Sequence, residues 1–95
     1  MIKFYKFYSD AGHGWIAVKR QELADLEILD KISGYSYQKG KTVYLEEDCD
    51  ATLFINKLKE LDIIYAFTEK ICNKDYSPVR SYESFKVWKN IKLVT

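Results

Sequence analysis

The sequence is poor in the residues from which recognisable catalytic and metal sites are built. Its 95 residues include one histidine and two cysteines. Because Cys49 and Cys72 lie far apart and form no Cys-x-x-Cys pair, the pattern indicates two free thiols rather than a zinc or redox motif. No glycine-rich phosphate loop leads from a strand into a helix, since Gly12-His13-Gly14 joins two predicted strands. The sequence therefore predicts no metal, no cofactor and no enzymatic activity.

Long apolar runs are missing as well. No run approaches the roughly 20 apolar residues that cross a bilayer, and the N-terminal residues MIKFYK contain lysines rather than the apolar core of a signal peptide. Hydrophobic residues make up 47% of the chain and charged residues 31%, which is typical of a folded globular protein. We therefore expect a single domain over residues 1–95, located in the cytoplasm and without membrane contact.

The net charge of +1 conceals an uneven distribution along the chain. Residues 21–68 hold five basic and ten acidic residues, whereas residues 1–20 and 69–95 each carry a net charge of +3. Separate acidic and basic faces would steer charged partners toward the folded protein. If strands from the three segments are interleaved in the sheet, their opposite charges would instead be mixed over the surface. Both arrangements stay open.

Two hairpins are predicted from alternating patterns. The segments 2–8 and 15–19 are rich in aromatic and β-branched residues, which predicts two antiparallel strands. The polar loop between them carries the only histidine, His13. The second hairpin pairs residues 34–38 with 42–46 around Gly40, a residue that tolerates the positive φ of a tight turn. A lone hairpin is barely stable in water, so both must join a larger sheet.

Helical spacing predicts a short helix over residues 20–27 and a stronger one over 50–61. Phe54, Leu58 and Leu61 form the apolar stripe of the second helix, and Asp48 or Asp50 can cap its N-terminus. A strand follows over residues 63–68, then a loop over 73–78. Residues 85–93 fit a last edge strand or small hairpin with a turn at 89–90, although 82–90 also fits a helical turn.

The order ββαββαβ(β) predicts an α+β fold. We expect an antiparallel sheet of four to six strands with two helices on one face, which leaves the other face partly open. The open face matters because fifteen aromatic residues are too many for one small core.

Aromatic and acidic residues around the predicted loops indicate a surface that binds a basic partner. Tyr and Trp often dominate protein interfaces because they bury a large area with little loss of rotamer entropy. Residues 46–50 contain four carboxylates where a helix cap needs one, and the excess suits a basic partner; the plain alternative is that two of them face solvent. The predicted partner-binding residues are Asp10, His13, Trp15, Tyr35, Tyr37, Tyr44, Glu46, Glu47, Asp48 and Asp50.

Two other uses of the surface stay open. Lysines interleaved with aromatics can stack bases and follow a phosphate backbone, although no RNP-like motif is present. The residues of this nucleic-acid alternative are Lys3, Lys6, Lys74, Arg80, Lys86, Lys89 and Lys92.

A small hydrolase or nuclease built on Asp10, His13 and the acidic run is the weaker hypothesis, because one histidine with scattered acids matches no known signature. In the structural alternative His13 and Asp10 only stabilise a turn, and Cys49 is inert and partly buried.

Three strings of the sequence resemble a family of short proteins of unassigned function carried by bacteriophages and mobile elements. They are KFYSDAGHGWIAV (residues 6–18), ISGYSYQKGKTVYLEEDCDA (32–51) and RSYESF (80–85), and the resemblance covers roughly residues 3–85. The sequence departs from the family at Ala11, Lys19 and Glu27, where Pro, Pro and Gly are expected. The resemblance implies a bacterial host cell and no particular activity.

Three hypotheses follow for the function. The first is a non-enzymatic phage or mobile-element accessory protein that binds a bacterial host or defence protein, for example as an anti-defence inhibitor of the anti-CRISPR type. The second is a nucleic-acid-binding protein that uses the lysine–aromatic sheet face. The third is the small hydrolase or nuclease.

Overall fold

The computed structural model of the protein describes residues 2–86 and has an α+β fold with one six-stranded sheet and two α-helices. This confirms the predicted class. The strands are β1 (Ile2–Ser9), β2 (Gly14–Lys19), β3 (Tyr37–Lys39), β4 (Thr42–Glu46), β5 (Ile64–Cys72) and β6 (Glu83–Ser84). The helix α1 (Arg20–Asp25) follows β2, and α2 (Asp50–Glu60) lies between β4 and β5. Neither helix has the length and apolar character that crossing a membrane requires.

The order of elements differs somewhat from the prediction. Two 3₁₀ turns are added, the first at Leu29–Lys31 and the second at Pro78–Ser81. The second turn leads into β6, which has two residues and pairs with β3. The strand predicted over 85–93 lies mostly outside the described residues.

The sheet is mixed, which corrects the purely antiparallel sheet predicted from the sequence. Its strand order is β5-β1-β2-β4-β3-β6, and only the pairing of β1 with β5 is parallel. Because β2 is antiparallel to both β1 and β4, β4 runs in the same direction as β1. The α2 crossover returns the chain to the outer side of β1, so that β5 starts in that same direction, as parallel pairing requires.

One face of the sheet packs against the helices. Ile16, Val18, Val43 and Leu45 from β2 and β4 belong to a buried apolar cluster there. The cluster also includes Leu23 of α1 and Phe54 and Leu58 of α2, all three fully buried. The predicted stripe is confirmed at Phe54 and Leu58 but wrong at Leu61, which follows the helix and is 47% exposed.

The opposite face carries aromatic residues and is closed by the second 3₁₀ turn rather than by a helix. Trp15, Tyr44 and Val79 form its buried cluster. Tyr8, Ala17, Tyr37 and Tyr82 pack around them. We call this side of the sheet the aromatic face.

Three local expectations are tested at turns and helix ends. Gly40 has a φ of +60° in the turn between β3 and β4, as predicted, although β3 itself is shifted to Tyr37–Lys39. The predicted capping of α2 by Asp48 or Asp50 is wrong, because Cys49 is the N-cap and no side chain accepts a capping hydrogen bond. Glu27 has a φ of 62° after α1, a conformation that favours the glycine expected from the resemblance.

Candidate functional site

Four chain segments meet at one end of the sheet. The β1–β2 loop and the turn after β4 are adjacent, because Trp15 pairs with Glu46 across the strands and the Glu47 N–H donates to the Gly14 carbonyl at 2.9 Å. The loop before β3 and the second 3₁₀ turn complete the group. The histidine loop and the acidic run therefore lie side by side at one edge of the sheet.

The four segments enclose a cleft of about 380 Å³. We call it the acidic aromatic cleft. Its lining residues are His13, Trp15, Tyr35, Tyr37, Glu46, Asp48, Cys49 and Arg80. Six of these eight belong to the partner-binding set predicted from the sequence.

The floor of the cleft is acidic. Nδ1 of His13 lies 3.3 Å from Oε2 of Glu46, and Oε1 of Glu46 accepts a hydrogen bond of 3.1 Å from the Asp48 backbone N–H. Glu46 is only 8% exposed, and among residues 2–86 no lysine or arginine nitrogen lies within 4.0 Å of its carboxylate. One side-chain donor atom from each of His13, Glu46 and Asp48 falls within 4.8 Å of the other two.

The wall of the cleft is aromatic. Trp15 is 1% exposed and contacts Tyr37 edge to face, with ring centroids 6.2 Å apart. Tyr35 stands at the rim and is 76% exposed. The buried indole N–H of Trp15 has no hydrogen-bond partner among the described residues, a condition that costs about 1–3 kcal/mol.

A buried carboxylate, Asp10, holds the site together. It accepts hydrogen bonds from the backbone N–H groups of Gly12, His13 and Ser77 at 2.9–3.0 Å and forms an ion pair with Arg80. The Arg80 hydrogen bond, followed by that of the Ser77 N–H, holds the pKa of this carboxyl well below its usual range. Asp10 thereby fixes the histidine loop to the second 3₁₀ turn and does not line the cleft.

The other predicted partner-binding residues also lie outside the cleft. Asp50 is 2% exposed, and its carboxylate accepts hydrogen bonds from Ser33 and Ser36. Tyr44 lies on the aromatic face, where burial raises the pKa of its hydroxyl to about 12. Glu47 is exposed beside Gly14. Asp50 and Tyr44 are therefore residues of the fold.

Two residues of the cleft were not in the predicted partner-binding set. Arg80 lies over the Trp15 ring at 5.6 Å, a position set by Asp10 seventy residues earlier. Cys49 is a free thiol, as predicted, but it is exposed rather than partly buried. Its position within the acidic run, between Asp48 and Asp50, was the one signal that could have included it.

The basic residues of the nucleic-acid alternative are largely paired with acids. Lys3 lies 4.0 Å from Glu22, Lys6 lies 3.5 Å from Glu69, and Lys86 lies 3.7 Å from Glu83. Arg80 is bound to Asp10, and Lys74 is exposed in the loop after β5. Lys89 and Lys92 lie outside the described residues. Each of the three paired lysines thus contributes little net positive potential.

The contacts of Asp10 and Cys49 bear on the hydrolase hypothesis. Asp10 has its carboxylate occupied by five donor groups and is not available as a general base. Cys49 has no hydrogen bond to His13 among the described residues, and the Nδ1 atom of His13 lies beside Glu46 instead. Searches against protein-family models, curated proteins and solved structures found no match for this chain.

Proposed function

We propose that the protein is a non-enzymatic binding protein that recognises a partner protein through the acidic aromatic cleft. The occupant of the cleft is a basic side chain of the partner, an arginine or a lysine. The proposal rests on the composition of the cleft. It combines the carboxylates of Glu46 and Asp48 with the aromatic rings of Trp15, Tyr35 and Tyr37.

The chemistry of the lining supports a cationic occupant. Carboxylates accept charge-assisted hydrogen bonds from guanidinium or ammonium groups, and aromatic faces attract the same cations. Among the described residues that line the cleft, the one lysine or arginine is Arg80, which is already paired with Asp10 and offers little repulsion. A phosphate group, by contrast, would meet Glu46 and Asp48 at close range.

The biological setting is part of the proposal and rests on the resemblance of residues 6–18, 32–51 and 80–85. That resemblance favours a bacterial host or defence protein as the partner, and an inhibitor of the anti-CRISPR type as the role. Defence proteins that hold nucleic acid carry basic channels, whose side chains suit an acidic cleft.

A capture experiment with charge variants tests the partner class. Wild-type protein should retain the same bacterial protein from host lysate before and after nuclease treatment. Asp48→Lys and Tyr35→Ala should each weaken capture about tenfold or more, the loss typical of an interface hot spot. Asp30→Lys, the same charge change on an exposed residue of the first 3₁₀ turn, is the matched control and should bind normally.

The two cysteines provide a second, local test. Cys49 lines the cleft, whereas Cys72 is exposed at the end of β5. Bound partner should slow the reaction of Cys49 with a thiol reagent and leave Cys72 unchanged. Equal reactivity of Cys49 in the free and bound protein, together with normal capture by Asp48→Lys, would disprove the cleft as the interface.

A second groove has features that suit the nucleic-acid alternative. It has a volume of about 370 Å³ on the aromatic face, with Phe4, Lys6, Tyr8, Lys19 and Tyr44 among its lining residues. Phe4 is exposed, and an exposed ring beside lysines can stack a base. Capture that nuclease abolishes, and that Phe4→Ala weakens while Asp48→Lys does not, would favour this alternative.

A further inference from the structure

We propose that His13, Glu46 and Asp48 form a binding site for one divalent transition-metal ion, of the Zn²⁺ or Mn²⁺ class, at the floor of the acidic aromatic cleft. This goes beyond the proposed function, because the ion is bound by the protein alone and needs no partner. The spacing of these residues in the sequence gave no reason to expect a metal, since His13 and Glu46 come together only through the β2–β4 pairing.

The donor set suits such an ion. One imidazole nitrogen and two carboxylates are ligands that Zn²⁺ and Mn²⁺ accept, at about 2.0–2.2 Å. Two such ligands on a tetrahedral ion lie about 3.4 Å apart, and His13 Nδ1 lies 3.3 Å from Glu46 Oε2. The three donors fall within 4.8 Å of one another, and Asp48 is exposed and has room to close the remaining distance.

A second observation is that the Glu46 side chain is buried with no Lys or Arg beside it among residues 2–86. A carboxylate removed from water is normally paired with a cation or bound to a metal. Glu46 is 8% exposed, yet among residues 2–86 the group within 4.0 Å of its carboxylate is the His13 imidazole and not a lysine or an arginine. Asp48 adds a second negative charge nearby. A dication between the two carboxylates would supply the charge that the surrounding residues do not.

The surrounding contacts hold the ligands in place before the ion arrives. Asp10 accepts the His13 backbone N–H at 3.0 Å and fixes the loop that carries the imidazole. Glu46 is placed by its strand, and its Oε1 accepts the Asp48 N–H, which leaves Oε2 facing the imidazole. Contacts of this kind, behind the ligands, typically change metal affinity by about 10- to 100-fold.

Three protein ligands leave at least one coordination position open toward the cleft. The ion and the basic side chain proposed above would use the same carboxylates. Binding of the ion should therefore weaken binding of the partner, so that the two occupants compete.

The single histidine gives the test a specific signal. The imidazole protons of His13 are the only histidine signals that the chain can produce in a proton NMR spectrum. We would titrate protein without a polyhistidine tag with ZnCl₂, MnCl₂ and MgCl₂, and measure the stoichiometry by calorimetry. Zn²⁺ should bind one to one and shift these signals, Mn²⁺ should broaden them, and Mg²⁺ should do neither.

Matched variants complete the test. His13→Gln and Asp48→Asn should each weaken Zn²⁺ binding about tenfold or more, whereas Asp30→Asn on the first 3₁₀ turn should not. Amide spectra confirm that each variant is folded, and Asp48 is exposed enough to be replaced safely. Unchanged imidazole signals at millimolar Zn²⁺, or wild-type affinity in both variants, would overturn the site. Zn²⁺ binding without capture of any partner would leave this inference intact and count against the proposed function alone.

Discussion

The helix-covered face and the aromatic face of the sheet use the same strands but are closed in different ways. In β2, Ile16 and Val18 belong to the cluster under the helices, whereas Trp15 and Ala17 belong to the aromatic face. Apolar side chains of α1 and α2 close the first face. The second is closed by a 3₁₀ turn whose Arg80 is tied to Asp10.

This difference separates the contacts that stabilise the fold from the contacts that shape the cleft. Burial of apolar area is non-directional and supplies most of the folding free energy. An ion pair with hydrogen bonds contributes less net energy but fixes the relative orientation of the groups that it joins. Here the Asp10–Arg80 pair fixes the loop that carries His13. The cleft therefore lies on the side of the sheet that depends on polar contacts.

The largest expected effect is on the helix-covered face. Phe54→Ala should lower the free energy of unfolding by about 3–5 kcal/mol, because a fully buried ring leaves a cavity when it is removed. Urea denaturation followed by circular dichroism measures the change. Thr52→Ala, on the exposed side of the same helix, is the control and should change stability far less. A wild-type midpoint for Phe54→Ala would show that this face does not carry the fold.

The elements of this face were largely predictable, but the sheet as a whole was not. The stripe of Phe54 and Leu58 follows from helical spacing, and Gly40 identifies its turn. The parallel pairing of β1 with β5 depends on where the α2 crossover returns the chain, which no local pattern records. Residues 69–72, which lie beyond the predicted strand, are extended because they pair with the second half of β1 after a register shift at Tyr5 and Lys6.

A smaller effect is expected at the polar contacts of α2. Asp50→Ala should cost about 1–3 kcal/mol, because it leaves the buried hydroxyl of Ser36 and the partly buried donors of Ser33 without their acceptor. Asp48→Ala, two residues earlier and exposed, should be nearly neutral in the same urea experiment. An equal decrease in the free energy of unfolding in the two variants would mean that Asp50 contributes no more to stability than Asp48.

On the aromatic face, the effect of Asp10 should depend on pH. A carboxyl group with a lowered folded pKa adds stability above its unfolded pKa of about 4, and this stability is lost as the pH falls toward the folded value. Asp10→Asn removes the charge and keeps the size. Its urea midpoint should lie below that of the wild type at pH 7, and the difference should narrow as the pH is lowered from about 4 to about 2. A difference that is constant over this range would exclude the ion pair as its cause.

The cleft was predictable from the sequence only in part. Trp15, Tyr35 and Tyr37 belong to the predicted partner-binding set and line the cleft, and the acidic run has more carboxylates than a helix cap needs. The fold decides which of these acids line the cleft. Asp48 lines it, whereas Asp50 turns inward toward Ser33 and Ser36. Arg80 joins the cleft through an ion pair with Asp10 that spans most of the chain, so local sequence patterns could not place it there.

The smallest expected effect on stability is at the rim of the cleft, where binding should change most. Tyr35 is 76% exposed and Asp48 is also exposed, so Tyr35→Ala and Asp48→Asn should each stay within about 0.5 kcal/mol of the wild type in urea. The double variant should unfold at a similar midpoint while losing partner capture. Tyr5→Phe on the helix-covered face removes the hydrogen bond to Glu22 and should do the opposite, lowering stability without affecting capture. If the rim variants destabilised the protein as much as Tyr5→Phe, the two faces would not divide stability and recognition as we infer.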